Sequence, residues 1–402
     1  MPTFFTLLFC SLAATPLLAQ TPGFRQTNIF EAGQGGYAHY RVPAIIVTPK
    51  GTVIAFAEAR KSLRGDWGTQ DIVMRRSLDG GQNWSAPQVM VRLKEAVKKN
   101  PVALAQQLGV EGEVTYNNVV PLIDKPSGQL HVLFCVEYFR CFRITSVDDG
   151  MTFTDPVEIT ATFEKFRPDY DWKVIATGPG HGIQLRNGRL LVPVWLSDGA
   201  GGHAHRPSIV STIYSDDHGK NWQRGAIVVR HPDLKNPSET IAVQLAGGRV
   251  ALNIRHESPE HRRAISYSRD GSTGWTKPTL HPQLLEPVCM ASIIRLSLPS
   301  GSAPGRIIFA NPHSDEPRDP AKPEGNHKRQ NVTVKMSYDE GLTWPVSKSI
   351  EPGVSGYSDL AAGPDASIYL IYERGTPNLS DTTIRFLTVA RFTSDWLTGS
   401  AR

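Results

Sequence analysis

Short apolar runs separated by turn residues dominate the chain, and the stretch from Tyr40 to Trp84 contains the pattern in full. It holds three runs, which read AIIV, TVIAFAEA and DIVMRRS. The turn signal TPKG separates the first two runs, and a compact Gly-rich loop closes the third. Because the runs are short and almost no helical periodicity is present, the stretch is predicted to form a three-stranded antiparallel meander.

The loop that closes the third run has the form S-x-D-x-G-x-x-W. Ser77 and Asp79 are expected to accept hydrogen bonds from nearby backbone N–H groups, and Gly81 to adopt a positive φ. Trp84 is expected to bury its ring against the hairpin. Four further copies, one of them a variant and one ending in Phe, begin at Ser146, Ser215, Ser268 and Ser337. The first serines are 69, 69, 53 and 69 residues apart, a recurrence that predicts an array of equivalent units.

Each interval between these loops holds about four strand-like runs, which is the content of one propeller blade. About 380 residues divided by blades of roughly 60 to 70 residues gives six blades. We therefore expect an all-β fold, a six-bladed β-propeller of four-stranded antiparallel blades, that forms one domain over residues 20–402. Closure of the ring explains how one domain reaches this length, since it leaves few exposed strand edges.

Three further motifs, YRVP, SETIAVQL and SGYSDL, accompany the five loops, which are known as Asp-boxes or BNR repeats. Together they resemble the exo-α-sialidase (neuraminidase) family, in particular its bacterial-type, exported, single-domain members. The resemblance covers essentially the whole chain after the leader. Asp-boxes also occur in other propellers, so the specificity lies in the other motifs. The resemblance implies a hydrolase that needs no cofactor and acts on sialylated glycoproteins, glycolipids and oligosaccharides.

The resemblance implies three arginines that bind the substrate carboxylate, because guanidinium groups are planar, bidentate donors that stay protonated. They match Arg41 in YRVP, Arg255 in ALNIR and Arg329 in KRQNVTVKMSYDEG. Lys328 is a rival for the third position. Glu373 in IYLIYERG matches the carboxylate that braces the first arginine, and a carboxylate on the rim at a strand end is the alternative.

The nucleophile implied by the resemblance is a tyrosine. A carboxylate attacking the carbon beside the substrate's own carboxylate would face a repulsion of roughly 4 kcal/mol at about 4 Å and an effective dielectric of about 20. A neutral phenol avoids this repulsion, but its pKa of about 10 requires a base. Tyr357 in SGYSDL matches the nucleophile and Glu239 in NPSETIAVQL matches the base, which predicts retention of the anomeric configuration.

The resemblance implies that the loop RKSLRGDWGTQD supplies the acid that protonates the leaving oxygen. Asp66 matches the family's acid/base residue, and Arg60 matches an arginine that also touches the substrate. Asp71 is the competing carboxylate, but it begins the DIVMRRS run and is expected to be structural. With a glycine before it and Trp67 after it, Asp66 is expected on a mobile lid, with its pKa raised by partial desolvation.

The prediction of the other pocket residues is based on looser sequence matches. GPGHGIQL and LLVPVWLS resemble stretches that line the glycerol and N-acetyl side of sialidase pockets. Trp195 is therefore a candidate substrate contact, with Glu137 as another. Core packing is an equal alternative for each of them.

Residues 1–19 form an apolar segment that ends in small residues and is too short to span a bilayer. A cleavable signal and an exported protein, periplasmic or secreted, are expected, and no other apolar run reaches membrane length. Removal of Cys10 leaves Cys135, Cys141 and Cys289, an odd number that forms no disulfide framework. Buried free thiols are favoured over a bridge between Cys135 and Cys141.

The formal net charge of +5 suits an anionic substrate, but Lys and Arg are not clustered as nucleic-acid binding requires. No Cys/His cluster has the spacing of metal ligands, so no catalytic metal is expected. The histidines of HGIQ, HAHR and HESPEHRR are expected in solvent-exposed loops. Residues 93–111 are the one plausible short helix, inserted between blade strands.

Two other function classes remain alternatives. A non-catalytic sialoglycan-binding propeller predicts that the Tyr, Glu or Asp is missing, yet all three are present. A structural or receptor propeller predicts no arginine triad. Within the enzyme class, a transglycosylating or anhydro-forming sialidase depends on water exclusion and acceptor-site aromatics, which motifs do not decide.

Overall fold

The computed structural model describes residues 23–376 and 383–400, and the leader predicted over residues 1–19 lies outside them. The described chain is built from 25 strands and three very short helices. The first strand is β1 (Phe24–Glu31). Blade 1 consists of β2 (His39–Val47), β3 (Val53–Arg60), β4 (Gln70–Ser77) and β5 (Gln88–Val89). Blade 2 consists of β6 (Tyr116–Asp124), β7 (Gln129–Val136), β8 (Arg140–Ser146) and β9 (Val157–Glu158).

Blade 3 has its inner and outer strands each divided into two short pieces. It consists of β10 (Val174–Thr177), β11 (Ile183–Gln184), β12 (Leu190–Ser197), β13 (Ser208–Ser215), β14 (Gln223–Arg224) and β15 (Val229–Arg230). Blade 4 consists of β16 (Thr240–Gln244), β17 (Val250–Ile254), β18 (Arg262–Ser268) and β19 (Thr279–Leu285). The last two blades are formed by β20 (Ser292–Ser297), β21 (Arg306–Pro312), β22 (Gln330–Ser337), β23 (Val346–Ala362), β24 (Ile368–Arg374) and β25 (Phe386–Phe392).

The long strand β23 belongs to two blades. Its first half pairs with β22 and forms the outer strand of blade 5, whereas its second half, from Ser355, pairs with β24 and forms the inner strand of blade 6. β1 pairs with β25, with Phe24 opposite Phe392, and supplies the fourth strand of blade 6. The two ends of the described chain therefore close the ring, and the predicted six-bladed β-propeller is confirmed.

Each Asp-box joins the third and fourth strands of a blade. In the first box Ser77 Oγ accepts a hydrogen bond from Gly81 N (2.8 Å), and Asp79 Oδ1 accepts one from Asn83 N (2.9 Å). Equivalent bonds recur in the four other boxes. Blade 6 has no Asp-box because its third and fourth strands, β25 and β1, come from opposite ends of the chain.

Apolar side chains fill the spaces between neighbouring blades. Ile54 and Phe56 of blade 1 pack with Val132 and Phe134 of blade 2, for example. Complete burial of an apolar side chain of this kind contributes about 1.5–3 kcal/mol. Because each blade is covered on both faces, all eight residues of β3 are buried, which explains why the run TVIAFAEA is nearly continuous in its apolar character.

The helices are α1 (Pro101–Ala105), α2 (Thr160–Glu164) and α3 (Ser394–Thr398). The prediction of one helix over residues 93–111 was therefore wrong in extent and in number. α1 begins after Asn100, whose side chain accepts a hydrogen bond from Val102 N (2.9 Å), and Pro101 fits the first helical turn. α2 and α3 are single turns, too short to produce a periodic pattern. No described helix is long and apolar enough to cross a membrane.

The cysteines and several histidines are buried. Cys135, Cys141 and Cys289 are free thiols, as favoured from the sequence. The histidines of HESPEHRR were expected at the surface, but His256 and His261 are buried. The imidazole of His256 bonds the backbone oxygen of Arg262, which satisfies a polar group that would otherwise be costly to bury.

Candidate active site

The innermost strands of the six blades surround a central channel, and their N-terminal ends share one mouth. A cavity of about 250 Å³ opens there. Eight of the predicted site residues line it: Arg41, Arg60, Asp66, Trp195, Glu239, Arg255, Arg329 and Tyr357. The ninth, Glu373, is buried directly behind the wall. The ring thus collects into one pocket residues that lie more than 300 positions apart in the sequence.

β-Bulges turn several of these side chains out of the regular ladder. The pairing of β2 with β3 shifts between Arg41 and Ala44, where Val42 has a φ of 49°. The pairing of β23 with β24 shifts in the same way between Ser355 and Ser358, on either side of Tyr357. A positive φ is strained for a β-branched residue, and such strain concentrates at functional sites.

Glu373 holds the two bulged strands together. Its carboxylate accepts bonds from Arg41 Nε (2.6 Å) and Nη2 (3.2 Å), and from the backbone N–H groups of Val42 and Tyr357 (3.0 Å each). Desolvation by itself would raise the pKa of this carboxyl, but Arg41 and these hydrogen bonds hold it below its ordinary value. Glu373 is therefore a fully buried brace, and the alternative position on the rim is wrong.

Three guanidinium groups surround the ring of Tyr357. The Cζ atoms of Arg41, Arg255 and Arg329 lie 5.7, 5.9 and 5.2 Å from its centre. Arg41 pairs with Glu373 and Arg255 with Glu239.

Arg329 differs from the other two arginines. It donates to the backbone oxygen of Val288 (2.7 Å), and within the described chain no carboxylate lies at ion-pair distance from it. Lys328, the rival for its place, pairs with Glu316 and does not line the pocket. Arg329 is thus the guanidinium with the most unshared positive charge in the cavity.

Tyr357 is bonded on both sides of its hydroxyl. It donates to Glu239 Oε1 (2.5 Å) and accepts from Arg255 Nη1 (2.7 Å). Burial and the Glu239 carboxylate raise the pKa of the phenol well above 10, although Arg255 opposes the shift. The side chain is therefore a neutral phenol, aligned with a carboxylate that can accept its proton.

Asp66 lies across the pocket, where Arg60 Nη1 donates to its Oδ1 (2.8 Å). The predicted rise in its pKa was wrong. Desolvation acts in that direction, but the guanidinium charges of Arg60 and, to a smaller extent, Arg41 lower the pKa well below its ordinary value. Asp66 is therefore ionised beside Arg60, and its side chain is 47% exposed.

The loop that carries Asp66, residues 60–71, is called the acid loop. Two of its other residues, Trp67 and Asp71, were the subject of predictions. Trp67, expected on a mobile lid, is buried with its ring against Tyr138 and His205. Asp71 accepts bonds from Tyr37 (2.7 Å) and Arg92 (3.1 Å) outside the pocket, in agreement with a structural role.

Glu58 belongs to the site but was not predicted from the sequence as a site residue. Its buried carboxylate accepts bonds from Arg60 Nη2 (2.6 Å) and from the backbone N–H of Asn118 (2.9 Å), which lies in a bulge of β6. It braces Arg60 as Glu373 braces Arg41. The sequence does contain a signal for this role, because Glu58 is an isolated carboxylate in the apolar run TVIAFAEA, just as Glu373 is in IYLIYERG.

Another wall of the pocket is formed by the HAHR segment, which was expected to be an exposed loop. His203, His205 and Arg206 line the cavity, and the ring of His205 lies 5.0 Å from Tyr138 and 5.2 Å from Trp195. Burial lowers the pKa of His205 to about 4, so its ring is neutral at neutral pH. His205 Nε2 and Trp195 Nε1 are buried and have no hydrogen-bond partner in the described part of the chain.

Two looser predictions for the pocket were wrong. Glu137 does not line it, because its carboxylate is buried against Lys99 (3.2 Å); the adjacent Tyr138 lines the cavity instead. The segment GPGHGIQL lies at the opposite mouth of the channel, where His181 Nδ1 bonds Asp359 (2.8 Å).

A larger cavity, of about 400 Å³, lies at that opposite mouth and has mainly aliphatic walls. Its guanidinium groups are already bonded, Arg186 to backbone carbonyls and Arg295 to Glu340. The smaller pocket, with its converging charges and the buried nitrogens of Trp195 and His205 that lack a partner in the described chain, is therefore the better candidate for chemistry.

Comparison with known proteins assigns the chain to a family. The chain is 31% identical to a sialidase of Micromonospora viridifaciens over 94% of its own length, and residues 98–370 match the family model described as a BNR repeat-like domain. This chain belongs to the BNR-repeat sialidase family. The relatives that it matches carry the name sialidase, and sialidases are glycoside hydrolases.

This sialidase-family chain spans 55% of the Micromonospora protein. It also spans 64% of a sialidase of Bacteroides fragilis, to which it is 25% identical over 89% of its own length. The Hadza microbial sialidase Hz136 superimposes with a TM-score of 0.71 at 24% identity, covering 92% of this chain and 69% of that one. At this identity the superposition supports the propeller fold.

Proposed function

We propose that the chain is a retaining exo-α-sialidase that removes terminal, α-ketosidically linked sialic acids from sialylated glycans. The observation that carries the proposal is the 2.5 Å hydrogen bond from Tyr357 to Glu239 within a ring of three guanidinium groups. A site that only binds an anionic sugar needs the arginines, but it does not need a buried phenol aligned with a base. The pairing therefore favours an enzyme over a binding module.

The size and charge of the pocket support a single terminal sugar as its occupant. Its volume of about 250 Å³ lies below the roughly 300–1,000 Å³ that is typical of sites for drug-sized ligands. The substrate carboxylate binds Arg41, Arg255 and Arg329, the last of which has no carboxylate partner among the residues that the structure describes. Trp195 Nε1, a donor, and the ring nitrogen His205 Nε2 have no partner among the described residues and are available to polar atoms elsewhere on the sugar.

In the first step, Asp66 protonates the leaving glycosidic oxygen while Tyr357 attacks the anomeric carbon. The phenolic proton passes to Glu239, the bond to the leaving glycan breaks, and a bond from the Tyr357 oxygen to the anomeric carbon forms. Asp66 must first be protonated, although Arg60 depresses its pKa. The bound substrate promotes this, because its carboxylate neutralises nearby arginines and its ring excludes water.

In the second step, a water molecule attacks the same carbon from the face that the leaving group vacated. Asp66, now ionised, accepts a proton from the water, and Glu239 returns the proton to the departing phenolic oxygen. Two inversions give net retention. A sugar hydroxyl in place of the water would give a transglycosylated or anhydro product, which is the alternative within the enzyme class.

Incubation of the purified chain with linkage-defined sialyllactoses tests the proposal. Free sialic acid is the expected product, and a Tyr357→Phe variant is the matched inactive control. Binding of sialyllactose without release of the sugar would favour a glycan-binding propeller. Neither binding nor release would refute the proposed function.

A further inference from the structure

A buried lysine–glutamate pair lies behind the loop that carries Asp66. Lys99 Nζ donates to Glu137 Oε1 (3.2 Å) and to Thr115 Oγ1 (3.1 Å), and Thr115 N donates to Glu137 Oε1 (2.6 Å). The lysine side chain is 0% exposed and the glutamate 2%. Neither lines the pocket. Apolar residues of similar volume are often at least as stabilising as a buried ion pair, so packing alone does not account for these two residues.

Two further hydrogen bonds of this group go to the loop that carries Asp66. Lys99 Nζ also donates to the backbone oxygen of Trp67, and the Thr115 hydroxyl donates to the backbone oxygen of Gly68 (2.8 Å). Both carbonyls belong to the two residues that follow Asp66. We call Lys99, Thr115 and Glu137 the clamp.

Neighbouring contacts leave the loop little freedom next to the clamp. Gln70 N donates to the backbone oxygen of Val114 (3.0 Å). A Cβ atom added at Gly109 would lie 2.7 Å from the backbone oxygen of Trp67, so the inserted segment packs tightly against the loop. On the other side, Arg60 Nη1 donates to Gly65 O (2.9 Å) as well as to Asp66. The backbone is therefore fixed on both sides of Asp66.

We propose that the clamp positions Asp66 for proton transfer to the leaving group. This inference rests on the proposed function, in which Asp66 is the general acid. The Asp66 side chain is half exposed and has one side-chain partner, so its position depends on the backbone that carries it. Lys99 and Thr115 act through that backbone and do not touch the substrate. They are positioning residues, and the insertion between blades 1 and 2 supplies the lysine.

The test uses a double variant, Lys99→Met with Glu137→Gln, which leaves no unpaired buried charge and keeps an acceptor for Thr115 N. The value of kcat/KM is compared for sialyllactose, whose alkoxide leaving group needs protonation, and for an aryl sialoside with an acidic phenol. A displacement of about 1 Å can cost on the order of 100-fold. We expect a loss of about 10- to 100-fold on sialyllactose and of less than about threefold on the aryl sialoside.

Two further variants provide a milder change and a control. Thr115→Val removes the bond to Gly68 O and one acceptor of Lys99 Nζ but keeps the Lys99–Glu137 pair, and it is expected to give the same selectivity, less strongly. Lys335→Met is the matched control, because Lys335 is also a buried lysine but bonds Ser347 (3.3 Å) in blade 5, away from the pocket. Its ratio of activities on the two substrates should equal that of the wild type.

Hydrogen–deuterium exchange over residues 62–69 provides a readout that does not depend on activity. The clamp variants should exchange faster in this loop than the wild type, and Lys335→Met should not. Unchanged exchange, equal losses on both substrates or faster exchange without any loss of activity would each overturn the inference. A wild type inactive on both substrates, with faster loop exchange in the clamp variants, would instead refute the proposed function and leave the clamp as the structure that holds the loop.

Discussion

The hydroxyl of Tyr357 donates a hydrogen bond to Oε1 of Glu239 across 2.5 Å, although the two residues are 118 positions apart. Glu239 directly precedes the inner strand of blade 4, and Tyr357 lies in the inner strand of blade 6. The contact therefore exists only in the closed ring. Because burial raises the pKa of this phenol well above 10, the phenol depends on the carboxylate for its activation.

Replacement of Tyr357 by Phe should remove the nucleophile with little effect on packing. We expect kcat/KM to fall by about 1,000-fold or more, with a nearly unchanged melting temperature. Tyr372→Phe is the matched control, since Tyr372 is a buried phenol that bonds Glu351 (2.8 Å) outside the pocket. A Tyr357→Phe variant that keeps most of its activity would remove this residue from the mechanism.

Replacement of Arg329 by Ala should strongly reduce kcat/KM for hydrolysis and leave the fold intact. Loss of a charged contact to the substrate carboxylate costs on the order of 2 to 5 kcal/mol. Lys328→Ala, at the adjacent residue that pairs with Glu316, should retain wild-type kcat/KM. If the two variants behave alike in a steady-state assay, the third arginine of the triad has been assigned wrongly.

Replacement of Asp66 by Asn should affect substrates according to their leaving groups. We expect a loss of about 100- to 10,000-fold on sialyllactose, which needs a proton on its leaving oxygen. On an aryl sialoside with an acidic phenol the loss should be below about tenfold. Equal losses on the two substrates would show that Asp66 is not the general acid.

The Asp-boxes should make the stability of the fold depend on pH in the acid range. The pKa of Asp217 is lowered from 3.8 to about 2, because hydrogen bonds from Asn221 and Ser215 outweigh desolvation. Its ionised form therefore stabilises the fold fully above about pH 4, and this contribution is lost as the pH falls towards 2.

Urea unfolding of an Asp217→Asn variant measures this contribution. The destabilisation relative to the wild type should be larger at neutral pH than near pH 2. Asp155→Asn, which changes an exposed aspartate in contact with Lys94, should show no such trend. A destabilisation of Asp217→Asn that does not depend on pH would contradict the linkage.

The fold was predictable because its signals are local. Each Asp-box forms its hydrogen bonds within a few residues, so the motif can be recognised before any tertiary structure is known. The division of β23 between two blades was not predictable, because residues 346–362 form one uninterrupted strand. The helix over residues 93–111 was overestimated because Lys99 and Asn100 bond Glu137 in preference to continuing a helix.

The residues of the site were predictable where they lie within a recognisable sequence motif. Arg41, Glu239 and Tyr357 are each embedded in a short recognisable segment, and the structure brings them together. His205 was missed because only the packing of blade 3 against the acid loop brings it near Asp66. The direction of the Asp66 pKa was wrong because the ion pair with Arg60, together with the charge of Arg41 from another strand, outweighs desolvation.

Proton NMR of the first sugar released from sialyllactose tests the central claim most directly. Attack by Tyr357 followed by attack of water inverts the anomeric carbon twice, so the α-anomer of free sialic acid must appear first, before mutarotation. A 2,7-anhydro product would indicate capture by the sugar's own hydroxyl in place of water, while keeping the covalent step on Tyr357. If the β-anomer appears first, the reaction inverts, and the assignment of Tyr357 as nucleophile and Glu239 as its base is wrong.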